Sequence, residues 1–221
     1  MSLYLVATPI GNVNDISLRG LEILKTAEVI IVEERKEGAA FLRAHGITGK
    51  TYEQLNEHST KEDLVRLLEI CKTKVVALIT DCGTPGFADP GGNLVRVCRD
   101  NKIEIHSLPG PSSLMTLLSL CGQRIDSFLY RGFLSPETET RRKEWMELAK
   151  NLNCIILMDT PYRLLKTMSD LSEHFSQRKI LVGIDLTQET EKIFEGTAKS
   201  VAQQITIKKA EFIVLIYPTS H

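Results

Sequence analysis

The segment TDCGTPGFADPGG, residues 80–92, holds four glycines and two prolines in thirteen positions. A backbone of that composition is bare and stiff, and it can lie close against a ligand. Its polar side chains Asp81, Thr84 and Asp89 offer acceptors and one hydroxyl donor, and none is cationic. A phosphate cradle sets Lys or Arg beside its amides, and the pattern G-x-x-x-x-G-K-[ST] is missing here. A ligand that is neutral or positive at this point, such as a sulfonium or an amine, suits the loop; a long structural turn is the alternative reading. Two other turns are rich in Gly and Pro, Thr8-Pro9-Ile10-Gly11-Asn12 and Pro109-Gly110-Pro111-Ser112-Ser113, and a fourth is charged, Glu33-Glu34-Arg35.

Each of these turns follows a near-continuous apolar run, at 3–7, 29–32, 75–79 and 103–108, and three more runs lie at 155–158, 180–184 and 212–217. Runs without polar alternation fit strands covered on both faces by helices. Helical stripes lie between them: Leu18, Leu21, Leu24 and Val29; Leu64, Leu67, Leu68 and Cys71; Leu164, Leu165, Met168 and Leu171. The alternation predicts an α/β fold with mostly parallel sheets, in which ligands meet the carboxyl ends of the strands. A joint is expected at CGQRID, residues 121–126, dividing an α/β domain over 1–120 from another over 121–221. A cleft between two such domains is a preferred location for a ligand.

The net charge of −1 over 221 residues gives no global basic field to draw in nucleic acid. Local clusters, Arg141-Arg142-Lys143 and Lys208-Lys209, could still touch RNA, although a solvated helix face is the favoured reading of each alone. Cys71, Cys82, Cys98, Cys121 and Cys154 form no C-x-x-C pair, which points to a reducing compartment. The five histidines lack ligand spacing, so the expected chemistry is metal-free. No apolar run approaches the ~20 residues of a membrane helix, and no leader-like segment precedes the first run, so a cytoplasmic protein is expected.

ATPIGNVNDISLRGLEILKTAEVI (7–30), TDCGTPGFADPGG and LPGPSS (108–113), in this order and spacing, resemble the tetrapyrrole methylase superfamily. LNEHS (55–59), RGFLSPETETRRK (131–143), MDTPYRLLKT (158–167) and LTQETEKIFEG (186–196) extend the likeness. Within the superfamily they look closest to the branch that methylates the 2′-hydroxyl of a cytidine in bacterial 16S rRNA, in a shortened form without that branch's C-terminal extension. The resemblance implies two α/β domains, a homodimer, and S-adenosylmethionine in the inter-domain cleft. It assigns cofactor contacts to Pro9, Ile10 and Gly11; to Asp81, Gly83, Thr84, Pro85 and Gly86; to Pro109, Ser112 and Ser113; and to Asp159, Thr160 and Pro161. The turn after the first run then helps hold the cofactor or the substrate beside it, while residues 80–92 do most of the gripping.

A ribose hydroxyl profits from a positioned base, and Glu34, Glu57 and His58 are the candidates. The Glu57-His58 pair matches the branch motif; an exposed loop histidine is the alternative reading. Arg35, Arg131, Arg142 and Arg163 are the candidate substrate contacts, with surface salt bridging as the competing role. Tyr162 could stack on a base; Trp145 shares a helical stripe with Leu148 and reads as core. The chain departs from the branch at Glu33-Glu34-Arg35-Lys36, at Met158-Asp159-Thr160-Pro161-Tyr162-Arg163 and at Ile184-Asp185-Leu186-Thr187-Gln188, the last losing two cations. Two other expectations therefore stand beside rRNA: methylation of a small molecule such as a porphyrinoid, and a non-catalytic S-adenosylmethionine-binding module.

Overall fold

The computed structural model describes residues 1–88 and 90–219, so Asp89 lies outside the described residues. The chain forms two compact units that divide between Ser112 and Ser113.

The first unit runs β1 (Ser2–Val6), α1 (Leu18–Thr26), β2 (Val29–Val32), α2 (Arg35–Ala44), β3 (Thr51–Gln54), α3 (Lys61–Thr73), β4 (Val75–Leu78), α4 (Gly92–Asp100) and β5 (Glu104–Leu108). Its sheet has the order β3-β2-β4-β1-β5, with every pair parallel. Successive strand residues face opposite ways, so each buried run feeds two cores. Val6, Ile30, Val32, Ala77 and Ile79 pack with Leu24 of α1 and Leu42 of α2. Leu3, Val29, Ile31, Val76 and Leu78 pack with Leu67 and Cys71 of α3 and Leu94 of α4. Two-sided burial is why these runs show no alternation. Local chemistry starts the helices: the Ser17 hydroxyl accepts from the Gly20 N–H at 3.0 Å, and Thr60 and Asp63 form a reciprocal capping box at α3. The α1 stripe is shorter than expected, because Leu18 is 81% exposed and Val29 already belongs to β2.

The second unit comprises α5 (Ser113–Leu120), β6 (Phe128–Gly132), α6 (Thr138–Ala149), β7 (Cys154–Asp159), α7 (Leu164–His174), β8 (Lys179–Ile184), β9 (Lys192–Thr197), α8 (Ala198–Gln204) and β10 (Phe212–Ile216). Its sheet has the order β6-β7-β10-β8-β9. Only β6 and β7 pair in parallel; β10 runs antiparallel between β7 and β8, and β9 is antiparallel to β8. The fold is α/β as expected, with one parallel sheet and one mixed sheet. Trp145, Leu148, Leu164, Met168, Leu171 and Val201 bury one face of this sheet. Helix α5 packs against β8 and β10, and a Cβ placed on Gly183 of β8 would come 3.2 Å from Leu117. That packing moves the division of the chain one helix earlier than the CGQRID segment suggested.

Candidate active site

In the first unit, the loops after β1 and β4 are stapled together. Thr8 and Gly83 exchange backbone hydrogen bonds, N–H to O at 2.9 and 3.0 Å, and the Thr8 hydroxyl donates to the Thr80 carbonyl at 3.1 Å. Pro9 and Gly11 continue from that staple into a turn where the Asn12 side chain accepts from the Asn14 N–H. The Thr84 hydroxyl reaches the Pro111 carbonyl at 3.5 Å, tying in the loop after β5 that carries Pro109 and Ser112. Ser113 opens α5 and belongs to the second unit. The Gly- and Pro-rich segments of the first unit thus meet at the carboxyl ends of adjacent parallel strands.

Two glycines fold residues 80–92 back on themselves. Gly86 has φ +78° and Gly91 φ +137°, and a Cβ on Gly91 would lie 3.0 Å from Leu78 and 3.3 Å from the Gly86 nitrogen. Only glycine takes that conformation in that space. Asp81 sits at the mouth of the loop, where its carboxylate accepts from the Glu34 N–H at 3.3 Å and its own N–H points to the Glu33 carboxylate at 3.4 Å. Burial pushes the Asp81 carboxyl above its ordinary range; the Glu34 N–H opposes this, and the charges of Glu34 and Glu37 add to the rise.

Beside this loop lies a cavity of about 420 Å³ lined by Glu33, Glu34, Asn56, Glu57, His58, Pro90 and Gly91, among others. All three acid–base candidates, Glu34 at the N-cap of α2 and Glu57-His58 from the β3–α3 connection, line it together. Glu57 and His58 are more than four-fifths exposed and pair at 3.6 Å, while Asn56 shapes their turn by accepting from the His58 N–H at 3.1 Å. A pair so open to water is held weakly and is free to change partner. Arg35, at the start of α2, donates to the Tyr52 carbonyl at 2.9 Å. Glu33 lies in the charged turn marked in the sequence, whereas Gln54 was missed there. Gln54 donates to the Glu33 carbonyl at 2.9 Å and so fixes the charged turn, but nothing in TYEQ marks it.

The second unit places its candidates differently. The Asp159 side chain is fully buried: one oxygen accepts from Arg141 at 2.7 Å and Thr167 at 3.1 Å, the other from the Thr160 N–H at 2.8 Å and Arg163 at 3.3 Å. That carboxylate is committed inside the unit, leaving Thr160 and Pro161 as the half-buried members of their trio. Arg141, read in sequence as part of a solvated cluster, is only 5% exposed, because Asp159 and Asp170 neutralise it at 2.7 and 2.8 Å. Trp145 is core, as expected, and donates its indole N–H to Asp170 at 2.9 Å. Arg131 is occupied by Glu144 at 2.6 Å and the Phe133 carbonyl at 2.9 Å. Tyr162 is 75% exposed, and its hydroxyl accepts from Lys209 at 2.9 Å. Arg142 remains outside these pairs. Among the described residues, no three His, Cys, Asp or Glu side chains cluster to hold a metal ion, and no helix is long and apolar enough to cross a membrane.

A doubly covered parallel sheet with glycine loops at its carboxyl edge, followed by a mixed-sheet unit, is the architecture of a known methylase class. The profile of the Tetrapyrrole (Corrin/Porphyrin) Methylases matches residues 2–202, and the chain belongs to that family. It is 35% identical to the "Ribosomal RNA small subunit methyltransferase I" of Synechocystis sp. over 97% of this chain and 78% of that protein. A protein of the same name from Coprothermobacter proteolyticus is 35% identical over 98% of each chain. The fold is also that of a crystal structure of diphthine synthase, with TM-score 0.75, 16% identity, and 100% of this chain and 92% of that one covered. The match across nearly all of the Coprothermobacter protein puts a like-named relative at this chain's own length.

Proposed function

We propose that this methylase uses S-adenosylmethionine to methylate the 2′-hydroxyl of a cytidine ribose in small-subunit rRNA. The observation that carries the reading is the meeting, on one cavity, of Glu34, Glu57 and His58 with the folded-back glycine loop. The names of the relatives supply the acceptor class. The loop fits the cofactor: it offers glycine backbone, acceptor groups and the Asp81 carboxyl, and no cation that would repel a sulfonium.

When bound, S-adenosylmethionine supplies a methyl group on a positive sulfur, which an oxygen nucleophile accepts in line. Residues 80–86 and 109–112, with Pro9 and Gly11, hold it, and Asp81 places a negative charge in that holding set. One of Glu34, Glu57 and His58 would receive the single proton of the acceptor hydroxyl as the carbon–oxygen bond forms and the methyl carbon–sulfur bond breaks to leave the thioether. Arg35, at the same edge, and Arg142 and Arg163 of the second unit contact the acceptor. The working particle in this reading is a homodimer; light scattering is the test, and a mass of one chain would overturn it.

The test is transfer of labelled methyl to small ribosomal subunits lacking the modification, with binding of S-adenosylhomocysteine measured by calorimetry on the same preparation. Label recovered as a 2′-O-methylated nucleoside is the expected result. Label in a porphyrinoid instead, or tight binding with no transfer to either acceptor, would overturn the acceptor assignment.

A further inference from the structure

The second unit has a cavity of its own, about 330 Å³, between α6 and α7. Four cations line it, Arg141 and Arg142 of α6 with Arg163 and Lys166 at the start of α7, against two carboxylates, Asp170 and Glu173. The buried network decides which of these charges are available. Asp170 is consumed by Arg141 at 2.8 Å, by Lys166 at 2.5 Å and by the Trp145 N–H at 2.9 Å. Arg163 gives one N–H to Asp159 at 3.3 Å, which anchors the guanidinium while leaving its other donors unused. The Lys166 side chain is 62% exposed despite its tether. The Arg142 side chain makes no hydrogen bond or ion pair among the described residues. His174 forms a further wall, its ring stacked 6.0 Å from Trp145 and 13° from parallel.

We propose that this cavity, where Arg142, Arg163 and Lys166 converge over a buried Arg141–Asp170–Asp159 base, seats a backbone phosphodiester of the RNA acceptor. Tethered guanidinium and ammonium groups lose little freedom on meeting an anion, and planar Arg donors match phosphate oxygens in pairs. No glycine loop lies here to cradle a nucleotide's phosphates, and of the two rings in the wall Trp145 is 1% exposed while the half-buried His174 ring is already stacked on it. The chemistry is therefore that of a strand passing through, read by charge and not by base. This inference rests on the RNA reading above and adds a second foothold, remote in sequence from the acid–base candidates.

Glu173 supplies a test that misfolding cannot mimic. It is the lining carboxylate without a partner among the described residues, and it opposes the incoming phosphate. Binding of a small-subunit rRNA transcript is measured across a salt series for wild type, Arg142→Gln, Lys166→Gln and Glu173→Gln. Removing either cation should weaken binding severalfold and flatten the slope of log K against log salt by about 0.7 to 1. Glu173→Gln should tighten binding, and S-adenosylhomocysteine affinity should stay constant throughout. Unchanged slopes in all three variants overturn the proposal. So does inorganic phosphate displacing the transcript as fully as unlabelled RNA at equal phosphate concentration, which identifies a free-phosphate site. Wild type that methylates rRNA while the variants keep its slope leaves the function standing without this seat. Wild type that binds with the expected slope shifts but transfers no methyl does the reverse.

Discussion

Asp81, proposed above to face the cofactor, is a side chain that weakens the fold when ionised. Its carboxyl is raised in the folded state, so ionised Asp81 costs stability at neutral pH, and the cost fades as pH falls through that raised value. Asp81→Asn should therefore melt higher than wild type at pH 7, with the two curves merging as the buffer approaches the ordinary 3.8. The same change should weaken binding of the sulfonium cofactor more than binding of its neutral thioether product, and calorimetry with both ligands measures the difference. Glu34→Gln combined with His58→Ala should slow methyl transfer by about 10²- to 10⁴-fold, the usual share of a general base, while thioether binding is kept. Full transfer by that double variant would remove both from the proton path.

At the scale of elements, the glycine loop and the α6–β7–α7 network are the two places where the fold has least tolerance. Gly91→Ala forces a side chain into φ +137° against Leu78 and should cost about 1–3 kcal/mol in denaturant melts, with loss of cofactor binding. Arg141→Met removes the buried cation that Asp159 and Asp170 share, leaving each only its outer partner, Arg163 or Lys166, and should cost about 3–5 kcal/mol. The seven strands legible in the sequence include every interior strand of both sheets. The three that escaped, β3, β6 and β9, are all sheet edges. An edge strand is covered less completely, so TYEQ, FLYRG and KIFEGT carry no continuous apolar run. Of the site, the loops were legible because glycine and proline write their turns directly into composition. The Thr8 staple and the buried Arg141 were not, because a basic triplet looks the same in sequence whether its first member faces water or two carboxylates 18 and 29 positions away.

Over the whole molecule, the two sheets settle their polar groups differently. Among the described residues, the first unit buries only hydroxyl-bearing polar side chains, Ser2, Thr8 and Thr80, whereas the mixed-sheet unit buries the charges of Arg141, Asp159 and Asp170. Burial alone would raise Asp170, yet the hydrogen bonds from Lys166, Arg141 and Trp145 and the charge of Arg141 hold it below its ordinary 3.8. A carboxyl lowered by folding stabilises the folded state above its ordinary value, and that contribution disappears as pH falls through the lowered one. Acid titration should accordingly weaken the second unit below about pH 3.8, and Asp170→Asn should remove that pH dependence at the expense of stability at pH 7.

Trp145 turns the same network into an optical instrument. It is the chain's sole tryptophan, packed beside the Arg141 guanidinium and bonded to Asp170. Intrinsic emission excited at the indole band thus comes from one unit only, and its wavelength responds to the charge and wetting of the cavity proposed to seat phosphate. A spectroscopist following that light sees the second unit open and its cavity fill, while the first unit, which has no tryptophan, stays dark and needs a label of its own.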